Sequence, residues 1–348
     1  GRDFGQSIAT KDRLVFMEYR YEEGQMPEAR AEVATVEPAE EEVTEEVVET
    51  EEATNDAMID ADMSVDMPVE DFNTEVVEGQ TKTFVTFAQY DFDMNPIAEF
   101  ELEQLGNYGF NGMAVDNDGN IYTLLCQYGV ETASGMYKDF YSLVGYSPIG
   151  TELFNIPLGK DVPDEEYYYV NTILCTGDKI VLWAMDNIEV YSLKGELVKS
   201  IDVSTAELGQ LFLLRDGSLV SLWYGDTNMD LVKINLETGE ISEKIAIPYN
   251  GYNFAHYAGT YCDFMLVDSN GVYTYNLGDE SHKKIMDFVD SDMASNSCYS
   301  LMQLTEDSFF AWTFDDATGE SMCGVFTKVD PATIKDKDSV IFFNFRPD

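Results

Sequence analysis

Few residues in this chain are able to do chemistry, and they narrow the reactions it can be read for. Nucleophilic catalysis needs a base beside a Ser, Cys or Thr, and the histidines are His256 and His282. His282 stands in the charged stretch Asp279-Glu-Ser-His-Lys-Lys284 and reads as a surface residue. His256 lies in the segment Pro248-Tyr-Asn-Gly-Tyr-Asn-Phe-Ala-His-Tyr257, where it is either a base at a loop-to-strand junction or a hydrogen-bonded structural histidine among tyrosines. Cys126, Cys175, Cys262, Cys298 and Cys323 form no C-x-x-C pair and give no zinc spacing with the histidines. Each falls in or beside an expected strand, where a buried thiol packs as a small hydrophobe; the alternative is one disulfide with a leftover thiol. Asp116-Asn-Asp-Gly-Asn120 opens like a calcium loop but lacks the later bidentate Glu, so it reads as a plain turn. Paired carboxylates for glycoside hydrolysis cannot be singled out among 66 acidic residues. No phosphate-cradling motif is present, and neither a metal nor a cofactor is expected.

What does stand out is aromatic and amide clustering where loops enter strands. Asn107-Tyr-Gly-Phe-Asn111, Glu165-Glu-Tyr-Tyr-Tyr169, Trp223-Tyr224 and Tyr249–Tyr257 are the clusters. Their candidate ligand- or partner-binding residues are Tyr108, Phe110, Asn111, Tyr167, Tyr169, Trp223, Tyr249, Tyr252, Asn253, His256 and Tyr257. Flat rings beside amides suit sugar rings and protein surfaces alike; the bland alternative is that these rings pack in the core.

The elements that must position them are hairpins of two alternating types. In Gly112-Met-Ala-Val-Asp-Asn-Asp-Gly-Asn-Ile-Tyr-Thr-Leu-Leu125, alternating apolar residues flank the tight turn Asp118-Gly119. Imperfect relatives are Asn171–Met185, Gln210–Trp223, Phe254–Val267 and Tyr299–Trp312. A second type pairs Thr83–Tyr90 with Ile97–Leu102, Phe140–Tyr146 with Glu152–Ile156, and Ile188–Leu193 with Glu196–Val203. It continues with Leu231–Leu236 and Glu240–Ile247, Val272–Leu277 and His282–Phe288, and Met322–Val329 and Ser339–Phe345. An inner pair followed by an outer pair is the strand order of a propeller blade, and the doubled hairpin recurs about every 40 to 55 residues, stretched where Tyr128–Met136 adds a loop. The expected fold is therefore all-β, a β-propeller of four-stranded antiparallel blades, six in number with five or seven as alternatives. The first blade has only Arg13–Tyr19 ahead of its outer hairpin, so it is either one strand short or completed by the C-terminal Val340–Phe345. Helix should fall far below the usual third of residues.

Composition sets the outer limits. A chain of 348 residues buries a sizeable core, and its net charge of −46 disfavours nucleic acid and anionic lipid surfaces as partners. Between Glu22 and Glu78 the only basic residue is Arg30, and runs such as Glu40–Glu52 lack the aromatics needed to offset ordering entropy. The expected organisation is an N-terminal strand at 1–21 joining the first blade, an acidic low-complexity insertion or linker at 22–80, and the propeller at 81–348. No apolar run reaches the length of a membrane span, and Gly1-Arg-Asp is not a signal peptide. Lacking an initial Met and ending at Phe345-Arg-Pro-Asp348, the chain is expected to be an excised piece.

Several of these stretches resemble the propeller-like region that precedes the sugar-type solute-binding domain in some cell-surface lipoproteins of gut Firmicutes. The matching residues are Asp12-Arg-Leu-Val-Phe16, Met113–Tyr122, Arg215–Asp226, Pro248–Phe254, Gly271–Asn276 and Asp338-Ser-Val-Ile-Phe342. The resemblance implies export, display at the cell surface through a lipid anchor upstream of this chain, and work beside a transporter for carbohydrates or other small solutes. It implies as partners a fused or adjacent solute-binding domain, or a glycan or small solute. The chain departs from that pattern in stopping where the solute-binding domain would begin and in its acidic insertion. The functional expectation is a non-enzymatic surface binding or docking module engaging ligand or partner at an aromatic rim. The alternatives are a propeller-type hydrolase or lyase using carboxylates with His256, and a structural spacer.

Overall fold

In the computed structural model, residues 2–22, 82–104, 106–160, 162–163, 166–214, 216–224, 228–248, 254–257, 262–268, 271–277, 281–287, 296–314, 321–327 and 343–344 are described. The chain divides into two units, Gly1–Glu22 with Lys82–Asp348 and, separately, Glu23–Thr81, which lies wholly outside the described residues.

The first unit is built of six four-stranded sheets, with no helix among the described residues. Blade 1 takes β1 (Arg2–Ala9), β2 (Leu14–Glu22), β3 (Lys82–Tyr90) and β4 (Pro96–Gln104). Blade 2 takes β5 (Tyr108–Val115), β6 (Ile121–Glu131), β7 (Tyr137–Tyr146) and β8 (Glu152–Pro157). Blade 3 takes β9 (Val170–Cys175), β10 (Lys179–Ala184), β11 (Asn187–Ser192) and β12 (Leu197–Asp202). Blade 4 takes β13 (Gln210–Leu213), β14 (Leu219–Tyr224), β15 (Asn228–Ile234) and β16 (Ile245–Pro248). Blade 5 takes β17 (Phe254–Tyr257), β18 (Phe264–Asp268), β19 (Gly271–Asn276) and β20 (Ser281–Asp287). Blade 6 takes β21 (Asn296–Gln303), β22 (Ser308–Phe314), β23 (Ser321–Thr327) and β24 (Phe343–Asn344). The fold is a six-bladed β-propeller.

Three details differ from the sequence expectation. Blade 1 is not a strand short, nor is it completed from the C-terminus: Arg2–Ala9 supplies its first strand, in register with β2 from Arg2↔Arg20 to Ala9↔Leu14. That strand lacks apolar alternation and carries Gly5 and a register shift between Phe4 and Gln6, which hid it. Phe343–Asn344 does not form an outer hairpin with β23 but pairs parallel with β21, an arrangement that needs a long crossover rather than a turn. The stretch Tyr128–Met136 is only partly loop, because β6 and β7 keep pairing out to Glu131↔Tyr137.

Packing explains why the second strands read as apolar runs rather than alternations. In β14, Leu219, Val220, Ser221 and Leu222 are all buried, since a neighbouring blade covers each side of the sheet. One cluster joins blades 1 and 2 through Met17, Phe87, Phe110 and Val144; another joins blades 2 and 3 through Tyr122, Leu143, Ile173 and Leu182. Leu211 and Ile201 belong to the blade 3–4 cluster, and Phe212, Phe264 and Tyr275 to that of blades 4 and 5. Blades 5 and 6 meet where the Cys262 thiol lies 3.7 Å from the Gln303 side-chain oxygen. The circle closes between blades 6 and 1, where Phe16 and Phe310 stand with ring centroids 5.2 Å apart within a cluster that includes Leu14 and Met302. Burying such a ring is worth about 1.5 to 3 kcal/mol.

Four antiparallel strands return the chain to the face it left. In blades 1 to 5 every first strand therefore begins on one face of the ring, here the entry face, and ends on the other, the turn face. The first strands are neighbours around the axis, β1 beside β5, β5 beside β9 and β9 beside β13. Register places the aromatic and turn residues below on one face or the other.

Candidate functional site

Among the described residues, the exposed large aromatic side chains are Tyr21, Tyr128, Tyr137, Phe140, Tyr167, Tyr169 and Trp223. All belong to the entry face. Tyr21 pairs with Thr83 next to the end of β2, and Phe140 pairs with Gln127, itself opposite the first residue of β5. Tyr137 opens β7, Tyr167 and Tyr169 immediately precede β9, and Trp223 lies one position beyond the pair Gln210↔Leu222. The exposed aliphatics Ile97, Ile149, Leu153, Leu197 and Val198 lie instead toward the turn face, in or beside third-to-fourth-strand turns.

Hydrogen bonds and close packing hold this aromatic face in place. The Tyr128 ring lies over the start of β5 so closely that a Cβ on Gly109 would come within 2.7 Å of it. Its hydroxyl donates to Asn111 Oδ1 at 3.1 Å, and the Asn107 amide donates to its carbonyl. Tyr19 donates to the Phe110 carbonyl at 2.9 Å, tying blade 1 to the same edge. Lys138, only 6% exposed, donates from Nζ to the Pro163 carbonyl at 2.8 Å and so anchors the loop leading to Tyr167 and Tyr169. The Tyr169 carbonyl accepts from Met185 N at 3.1 Å.

The residues singled out from sequence distribute as follows. Tyr167, Tyr169 and Trp223 are exposed on the entry face, Tyr108 is half-buried there, and Asn111 is engaged by Tyr128. Phe110 is not at the rim: it is buried, packing edge-on against Phe87 with centroids 6.1 Å apart. His256 and Tyr257 fall in β17, opposite Met265 and Phe264, but their side chains lie outside the described residues, as do Tyr249, Tyr252 and Asn253 altogether. Tyr21, Tyr128, Tyr137 and Phe140 were not singled out from sequence; they sit on second and third strands, and the signal was the strand ends opposite each first-strand start.

Along the axis runs a cavity of about 640 Å³ lined by β1, β5, β9, β13 and the turns that follow them. Toward the entry face its wall carries the amides of Gln6, Asn171 and Gln210; among the described residues its charged members, Lys11 and Asp216, lie in turns on the other face. Cys175 also lines it; burial pushes that thiol up to about 12, which favours its protonated form at neutral pH. Cys126, fully buried beneath Tyr128 and Tyr141, is likewise raised, to about 11, chiefly by burial and then by the nearby Asp139.

Two turns on the other face satisfy their own carboxylates. Asp116 Oδ1 accepts from the backbone N–H of Asp118 and Asn120 at 2.9 Å each, while Oδ2 accepts from Asn120 Nδ2 at 2.9 Å and Tyr122 Oη at 2.8 Å. Its lone pairs are spent inside the turn, as a plain turn requires and a calcium ligand cannot afford. Asp91 does the same with Asp93 and Asn95. Gly119, at φ 82°, completes the Asp116 turn with no room for a side chain.

No family model and no curated protein sequence matches this chain. Solved structures similar to it include hydrazine synthase of Kuenenia stuttgartiensis, at 14% identity and a TM-score of 0.39 over 67% of this chain and 73% of that one. Another is the extracellular domain assigned to a hybrid two-component system of B. thetaiotaomicron, at 14% identity and TM-score 0.37 over 70% of this chain and 34% of the other. TolB from Acinetobacter baumannii follows at 15% identity and TM-score 0.33, covering 70% and 65%. These neighbours mix enzymes with other proteins, and no helix among the described residues is long and apolar enough to cross a membrane.

Proposed function

We propose that this propeller is a non-enzymatic binding or docking module, displayed at a cell surface as part of a carbohydrate-type solute-uptake lipoprotein, and that its entry face engages the partner. The observation supporting this is the segregation of exposed aromatics: Tyr21, Tyr128, Tyr137, Phe140, Tyr167, Tyr169 and Trp223 all lie on one side of the ring. Large rings left half in water cost solvation unless something covers them, and clusters of Tyr and Trp are the usual anchors of a recognised surface. The surface is otherwise strongly acidic, so the partner contributes apolar or hydroxyl-bearing faces, or basic groups, rather than carboxylates. The partner class is a solute-binding domain or a glycan.

The test is to present the purified chain to a glycan array and, separately, to an isolated sugar-type solute-binding domain, with the double variant Trp223→Ala/Tyr167→Ala as control. Binding in either format that drops at least about tenfold in the double variant is the expected result. Silence in both formats, or binding indifferent to the substitutions, removes the docking role.

A further inference from the structure

We infer that the axial cavity is a second binding site, for an uncharged, hydroxyl-rich solute of one or two rings admitted from the entry face. The inference stands on the cavity alone and goes beyond docking at the aromatic face. Its volume of about 640 Å³ falls inside the range of small-molecule sites. The first strands turn into it a set of groups that both donate and accept. Asn171 and Gln210 are exposed at the starts of β9 and β13, Thr172 and Ser7 are half-buried beside them, and none of these four side chains has a hydrogen-bond partner among the described residues. Gln6 spends its amide on a long contact of 3.4 Å to the Met113 carbonyl, which leaves its side-chain oxygen free. Below these groups the wall is apolar, with Ile173, Leu211 and Met113 buried.

Charge decides the ligand class. The chain is rich in acids, 66 among 348 residues, yet the 25 described residues lining the cavity include a single carboxylate, Asp216, on the turn face. Burial alone would replace acids by apolar residues; it does not explain why exposed wall positions carry amides and hydroxyls instead. An anionic ligand is repelled by the chain's field, and a cationic one finds no carboxylate among the described residues of the entry end. A neutral polyol matches both what is present and what is missing, since each hydroxyl can donate to an amide oxygen and accept from an amide nitrogen.

Thermal-shift and calorimetric titrations of the whole chain test this with glucose, maltose and myo-inositol as neutral probes against glucuronate and glucosamine as charged ones. At least one neutral probe at millimolar concentration is expected to raise the melting temperature, with neither charged probe doing so. The double variant Asn171→Ala/Gln210→Ala, both positions exposed and so compatible with folding, is expected to weaken that binding about tenfold or more, the scale of two lost hydrogen bonds. Tyr167→Ala is expected to leave solute binding within about twofold while impairing docking, which keeps failure of the two sites separable. The inference is overturned if no neutral probe shifts the transition, if the charged probes bind equally well, or if the double variant binds as the parent does.

Discussion

The two faces of the ring are made from the same hairpins and differ in what they leave to solvent. On the turn face, carboxylates are answered within their own loops at Asp91 and Asp116, the latter saturated by four hydrogen bonds. On the entry face, rings such as Tyr167 at 58% exposed and Trp223 at 51% are left uncovered by the protein itself. One face is tied down by its own turns; the other leaves its rings in solvent, where the proposed docking role would use them. Stability should reside in the first and recognition in the second.

The largest effect that would break this division is Asp116→Ala. It orphans the buried Tyr122 hydroxyl and two backbone N–H groups at once, and urea denaturation should show a loss of about 3 kcal/mol. Gly217→Ala isolates the backbone cost alone, because φ there is 82° and a Cβ would meet nothing within 4 Å; the same measurement should give about 1 kcal/mol. On the entry face, Tyr167→Ala should change stability by no more than about 0.5 kcal/mol, and a larger loss would mean the ring is structural. The smallest effect is in acid. The Asn95 side chain and then its backbone hold the Asp91 carboxyl below its ordinary value, so the charged form is favoured in the fold. The stability this carries is complete above the unfolded value of about 4 and disappears as pH falls through the lower folded value. Asp91→Asn should therefore flatten the acid limb of a urea-midpoint profile below about pH 4, whereas Tyr167→Ala, which removes no acid-titrating group, should leave its slope unchanged.

Much of the architecture was legible because turn chemistry and alternation coincide. Asp118-Gly119 between Val115 and Ile121 announces a hairpin, and the register Val115↔Ile121 follows from it. Legibility failed where the physics ceases to be local. Arg2–Ala9 lines the cavity for part of its length rather than packing wholly between sheets, so it carries Gln6 and Ser7 where a strand pattern asks for apolar residues. Phe343–Asn344 joins β21 across a long connection that no turn signal marks. At the site, the entry-face position of Tyr167, Tyr169 and Trp223 could be read from their place at first-strand starts or second-strand ends. Phe110 could not, because a one-residue change of phase separates the rim from the space between blades, and only the pairing Phe110↔Leu125 fixes it. The same dependence on phase concealed Tyr128 and Phe140.

The ladder between β2 and β3 runs without a break from Leu14↔Tyr90 to Glu22↔Lys82, so blade 1 is zipped to its tip before the chain departs at residue 23 and after it comes back at 81. Closing a loop costs only about 0.6 kcal/mol more for each doubling of its length. This edge therefore behaves as a splice point: replacing residues 23–81 with a tight two-residue link, or grafting a foreign sequence there, should leave the blade's hydrogen-bonded pairs as they are.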